Sequence, residues 1–256
     1  RRNMDEAPFL SAAEIAQRLN LSEATMVRFA RTLGFESYPA LREALQENFR
    51  SRMTHSARLR GRIHDLREAG DIFERLVASE IDYLTEAMQT LDRDCLNAAV
   101  ELLRTHNRVF IFGLGPSVSL VDLLHIRLTR VGKQAVRLDT SGQEILEPML
   151  LMGKDDLLIA IGFFNLTPTM QLVLNHANQR QTPVILVTDT LGPLVSEKAN
   201  VVLAARRGPV SAFHSLTVPM TIINALLLAL SSADQENVMA HLDQLDQMRA
   251  KLRGAS

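Results

Sequence analysis

Two sets of residues in this 256-residue chain have types and spacings that could do chemistry. The first lies in NLSEATMVRFARTLGF, Asn20 to Phe35. There Ser22, Glu23, Thr25, Arg28 and Arg31 fall off the helical face formed by Met26, Phe29 and Leu33. Hydroxyl and guanidinium groups on one side of a helix donate to phosphate oxygens and hold the element in register on a duplex. Arg28 could instead reach a guanine edge, the commonest base-specific contact. The second set surrounds two loops, GLGPS (Gly113 to Ser117) and GFFNLTPT (Gly162 to Thr169). Gly115, Ser117, Asn165 and Thr167, with Ser141 and His214 elsewhere, could hydrogen-bond a small ligand, and Phe163 and Phe164 could line the mouth of its pocket. Taken singly, each polar residue is as well explained by a helix cap or a surface position, and the phenylalanines by packing.

Other chemistries are not encoded. No H-x-x-x-H or paired-cysteine spacing offers a metal site, and no nucleophile elbow is present. Val118 stands where a dinucleotide fingerprint needs its third glycine. No cofactor is expected. Glu144 and His214 are the candidates for the base that aldose–ketose isomerisation would need, and nothing in their spacing recommends them.

The elements that must position these groups follow from local pattern. Ser11 and Glu14 form an S-x-x-E capping box, so a helix begins there, with Ile15, Ala16 and Leu19 on one face. It ends at Asn20, which tolerates the left-handed backbone of a tight turn. Leu21 is expected to plug the angle, Ser22 to cap a second helix, and Gly34 to stop it. Small Ala16 permits close crossing. Glu23, Ala24, Thr25, Val27, Arg28 and Arg31 then point outward, as in a recognition helix. A helical hairpin that merely packs on the rest of the chain has the same spacing. The capping box, the turn, the small crossing residue and the outward arginines together favour the DNA-reading arrangement.

From Asp71 the pattern changes. DIFERLVASEIDYLTEAMQTL and RDCLNAAVELLRTH read as amphipathic helices. The short runs RVFIFGLG, QAVRLD, DLLIAIGF, PVILVTD and NVVLAA are mostly continuously apolar, as strands buried on both faces are. Helical patterns separate them, so the reading is a doubly wound α/β domain with five parallel strands. An apolar helix (His214 to Leu230) and a charged one (Asp234 to Leu252) follow. Thr167 reads as an N-cap with Pro168 in the first turn.

Composition sets the frame. With 28 Lys+Arg against 29 Asp+Glu the net charge is −1, but residues 1–70 hold 12 basic against 9 acidic groups, a balance of +3, and the remainder 16 against 20, a balance of −4. The excess peaks in RSRMTHSARLRGR (Arg50 to Arg62), either a phosphate-contacting segment or a solvated linker. Cys95 is the single cysteine, so no intrachain disulfide forms. The most apolar run, Leu216 to Leu230, is broken by Pro219 and Asn224 and is too short for a bilayer span. A soluble cytoplasmic protein is expected, with a helical DNA-binding domain and linker over residues 1–62 and an α/β domain over 63–256.

FLSAAEIAQRLNLSEATMVRFARTLGFESYPALRE resembles the DNA-binding segment of RpiR (MurR/RpiR) regulators, and RVFIFGLGPS, RLTRVGKQAVRLD and DLLIAIGFFNLTPT resemble their sugar isomerase (SIS) domain. The resemblance implies an all-α helix-turn-helix domain joined to a flavodoxin-like α/β domain. It also implies a non-enzymatic regulator that binds double-stranded operator DNA through Ser22, Glu23, Thr25, Arg28 and Arg31 and a small metabolite at the strand ends. The assembly would be a homodimer or tetramer with no membrane partner. The family pattern carries a helix before NMDEAPFL, so the DNA-binding domain is expected to lack its first helix here. Ser117 matches a family serine. The family's S-x-S-G-x-T loop reads Gly162, Phe163, Phe164, Asn165, Leu166, Thr167, keeping Thr167 alone. Each lost hydroxyl would weaken phosphate binding by about 1–3 kcal/mol, so the expected effector is not an ordinary phosphosugar. An SIS-type isomerase and a scaffold without ligand remain as alternatives.

Overall fold

A computed structural model describes residues 8, 10–42, 44–45, 71–164, 166–189, 196–207 and 215–254. The described residues fall into two compact units, one reaching Ile81 and the other running from Asp82 to Arg206 and from Leu216 onward. The basic segment Arg50–Arg62 lies outside the described residues.

In the first unit, α1 (Ala12–Leu19) begins at the capping box. Ser11 Oγ accepts from Glu14 N–H at 3.2 Å, and Glu14 Oε2 accepts from Ser11 N–H at 2.7 Å. Asn20 closes the helix at φ 55°, ψ 42°, and Leu21 N–H donates to Ala16 O at 2.8 Å. Helix α2 (Glu23–Thr32) starts at Ser22, whose Oγ accepts from Thr25 N–H, and ends before Gly34 at φ 87°. The core is Ala12, Ala16, Met26, Ala30, Tyr38 and Leu41, with Ile15, Val27 and Phe35 packed against it. Alanines at the crossing let the two helices approach closely.

That core is narrower than helical periodicity implies. Phe29 and Leu33 are half exposed, as are Leu19 and Leu21, so Ala30 and not Phe29 lies inward. Helix α2 turns Met26 and Ala30 inward, against Ala12, Ala16, Tyr38 and Leu41. Val27, expected outward, is half-buried against the core for the same reason: it flanks Met26 and Ala30.

In the second unit, five parallel strands are ordered β2-β1-β3-β4-β5: β1 (Arg108–Gly113), β2 (Gln134–Leu138), β3 (Leu157–Ile161), β4 (Val184–Thr188) and β5 (Val201–Ala204). Alternation along each strand divides two cores. Val109 and Ile111 face the layer that includes α4 (Arg93–Thr105), α5 (Val118–Arg130), α8 (Thr217–Ala233) and part of α3 (Ile72–Thr90). Phe110 and Phe112 face α6 (Leu146–Met149) and α7 (Pro168–Gln179). Continuous apolar runs form strands here because both faces are covered; each large side chain so buried contributes about 1.5–3 kcal/mol. The final helix α9 spans Gln235–Gly254. No single described helix is long and apolar enough to cross a membrane.

Two devices close the amino-terminal ends of the strands. Arg108 grips the buried Asp156 carboxylate through Nε and Nη2, each at 2.7 Å, and donates to Leu151 O, while Asp156 also accepts from Gly153 N–H. Lys133 Nζ donates to the carbonyls of Arg104 and His106 at the end of α4, and burial pulls its ammonium below the ordinary lysine range.

Candidate functional site

The outward side of α2 is built from its own cap. Ser22 Oγ and Thr25 Oγ1 are 2.8 Å apart, and Arg28 Nη2 donates to Thr25 Oγ1 at 3.4 Å. Ser22, Glu23, Arg28 and Arg31 are exposed and Thr25 is half-buried, so the five predicted residues share the helix and its solvent side. The opposite side of α2 is held by Met26 and Ala30. This places two guanidinium groups and a hydroxyl pair at the exposed start and outer side of a helix, an arrangement suited to phosphate oxygens and base edges.

The second site lies where strand order reverses, between β1 and β3, the place where open α/β sheets bind ligands. Gly113 pairs with Ile161, and Gly162 N–H donates to Val187 O, so both loops leave the sheet at one level. After β1 the chain enters a 3-10 turn, Gly115–Ser117, with Gly115 at φ 58°. A Cβ at Gly113 would sit 2.8 Å from Val121 Cγ2 and 3.2 Å from Ser117 Cβ, so glycine is required for the turn to fold back on α5. Ser117 is buried and gives no capping bond to α5. Across the crevice Thr167 caps α7, its Oγ1 accepting from Met170 N–H at 3.2 Å, with Pro168 at the first turn.

The structure adds three residues that motif reading missed. Asp189 Oδ1, just past β4, accepts from Phe164 N–H at 3.1 Å, and Phe164 holds φ 65°. Met170 packs over Gly162: a Cβ there would lie 2.5 Å from its Sδ. Thr188, fully buried, has no hydrogen-bond partner for its Oγ1 among the described residues. The signal for Asp189 was present in PVILVTD, an acid at the carboxyl end of an apolar parallel strand. Met170 carried none.

Other predicted residues scatter. Ser141 is exposed, precedes the 3-10 turn Gly142–Ile145 and makes no capping bond, and Glu144 is exposed on that turn. Asn165 and His214 lie outside the described residues, and among those described the apolar helix begins at Thr217. Phe163 packs partly against the core on the α5 side of the sheet and is not a free rim. Arg137, on the edge strand near this end, is held by Asp122 at 2.9 Å and by Asp139. Among the described residues no group of three or more His, Cys, Asp or Glu side chains is placed to hold a metal ion.

A helix-turn-helix with exposed arginines on its second helix, joined in one chain to a doubly wound α/β domain, is the two-part arrangement of a helix-turn-helix regulator with an appended α/β domain. Residues 1–52 match the helix-turn-helix domain of the rpiR family, and residues 102–229 match the SIS domain. The chain belongs to the rpiR family of helix-turn-helix regulators that carry a SIS domain. It is similar to an uncharacterized HTH-type transcriptional regulator of Haemophilus influenzae, 26% identical over 205 residues, which cover 79% of this chain and 70% of that protein. The sugar isomerase domain of the RpiR transcription factor from Sphaerobacter thermophilus superposes with a TM-score of 0.65 at 21% identity, covering 70% of this chain and 99% of that one. The Vibrio vulnificus NanR protein, solved with ManNAc-6P, superposes with a TM-score of 0.62 at 24% identity, covering 98% of this chain and 89% of that one.

Proposed function

We propose that this chain is a metabolite-responsive transcription regulator that binds operator DNA through Ser22, Glu23, Thr25, Arg28 and Arg31. The observation that carries the reading is the exposure of Arg28 and Arg31 on a helix whose other side is consumed by packing. Residues 1–62 serve as DNA-binding domain and linker and residues 63–256 as the effector-binding and dimerisation domain. The effector sits at Gly115, Ser117, Ser141, Asn165, Thr167 and His214 and is not an ordinary phosphosugar, since Gly162 and Phe164 bring no hydroxyl to the loop. The protein performs no turnover and works in the cytoplasm as a homodimer, with a tetramer as the other arrangement. Exposed Phe73, Val77, Ile81 and Met88, recurring at helical spacing on α3, support self-association. Effector binding changes DNA affinity through its different affinity for two arrangements of the paired recognition helices.

The test is fluorescence anisotropy with a fragment of the promoter region of its own operon, titrated across salt. The expected result is an affinity that falls steeply as salt rises, with Arg28→Ala weakening binding by about 1–3 kcal/mol. Equal affinity of wild type and Arg28→Ala at every salt concentration would overturn the assignment of α2.

A further inference from the structure

We infer that a leucine patch between α6 and α7 is a contact between two copies of this chain, with α7 of one copy antiparallel to α7 of the other. This rests on the reading above that the chain self-associates, and adds a second surface to the one on α3, which packs part of its length on the other face of the sheet. The stretch from Ile145 to Met152 is apolar on both faces. Ile145, Met149 and Met152 are buried in the core. The leucines between them point the other way: Leu146, Leu150 and Leu151 are 43%, 74% and 59% exposed. Helix α7 runs alongside, because His176 Nε2 lies 2.9 Å from Met149 O and Arg180 Nε donates to Met152 O at 2.9 Å. Leu172, one turn before His176 on the same flank of α7, is 45% exposed. A single exposed leucine is ordinary, but a contiguous group on one layer marks an interaction surface. Its area, on the order of a few hundred Å², suits the apolar centre of a contact that buries roughly 800 Å² per partner. Charge selects the occupant. Glu144 and Glu147 are exposed at the start of the patch, and Lys154 and Arg180 at its end; among the described residues none of the four makes an ion pair. Asp155 shares the second end and offsets it only in part. A twofold axis running across the helices, in the plane of the contact, lays the acidic end of each copy on the basic end of the other. The parallel arrangement would set like charges together.

The test is light scattering on the full chain across protein concentration, with melting temperature measured on the same samples. Leu150 is exposed, so Leu150→Asp should melt like wild type, and it should halve the mass of the largest species. Glu147→Lys and Lys154→Glu should each shift that species toward the smaller one, and the double variant, which exchanges the two ends, should restore it. Wild type running at the 28.5 kDa of one chain overturns the inference at once. An unchanged mass in Leu150→Asp overturns the contact. So does a lower melting temperature without a loss of mass, because a segment of the same chain would then be what covers the leucines. A double variant no better than either single one overturns the antiparallel arrangement. Should Leu150→Asp fail to fold, the charge exchange decides. Ile81→Asp keeps the two surfaces apart: if it alone lowers the mass, α3 carries the assembly and the patch does not, and if Leu150→Asp alone lowers it, the patch stands and α3 falls. Promoter binding on the same preparations tests the regulator assignment separately, since its absence would leave the masses as they are.

Discussion

Single residues here do one of three things: cap, pair or make room. Asp156 pairs. It is buried, accepts two bonds from Arg108 and one from Gly153 N–H, and so locks the amino-terminal ends of β1 and β3. Asp156→Asn removes the charge and one good acceptor while leaving Arg108 partly solvated. The expected loss is about 2 kcal/mol, read as a lower urea midpoint with unchanged slope. Gly113 makes room. Gly113→Ala drives a methyl into Val121 and Ser117, and destabilisation of about 1–3 kcal/mol is expected, with the β1 loop displaced from the crevice. Thermal melting of the two variants distinguishes these from Arg28→Ala, which should melt like wild type because Arg28 is exposed.

Caps and crossings belong to the scale of elements. Ser11, Asn20, Ser22, Gly34, Thr167 and Pro168 were all legible, because each satisfies or terminates the helix beside it within a few residues. Asp92 does the same for α4, accepting from Asp94 and Cys95 N–H, which holds its carboxyl below the ordinary aspartate range. Because the folded value is depressed, its contribution is complete above the unfolded-state value, about 4, and is lost as pH falls through the folded one. The melting difference between wild type and Asp92→Ala should therefore be flat near neutrality and vanish in acid. The crossing of α1 on α2 depends on small residues. Ala30→Leu, at a fully buried position, should overpack it by about 1–3 kcal/mol and abolish DNA binding together with helical signal from the unit. Which face of α2 turns inward was not legible. Periodicity marks Met26, Phe29 and Leu33 as one stripe, but among the described residues the core takes Met26 and Ala30.

For the molecule as a whole, the proposed coupling of DNA reading to effector binding calls for two copies that present paired recognition helices, because closed twofold assemblies match half-sites about 34–36 Å apart. Light scattering should give a multiple of the 28.5 kDa chain mass, and Ile81→Asp on the exposed side of α3 should lower it. An unchanged mass would remove that helix from the interface.

What the amino-acid order determined alone was of short range: one capping box and several helix caps, the left-handed stops, five buried strands and their alternation with helices, and through these the fold and family. Tertiary structure alone decided what meets across distance. Asp189 reaches a loop 25 residues earlier, and Met170 fills the space over Gly162. Local backbone preferences act between neighbours and leave a pattern in the chain. A long-range contact is selected by the shape and charge of whatever the fold brings alongside, and no spacing in the sequence records it.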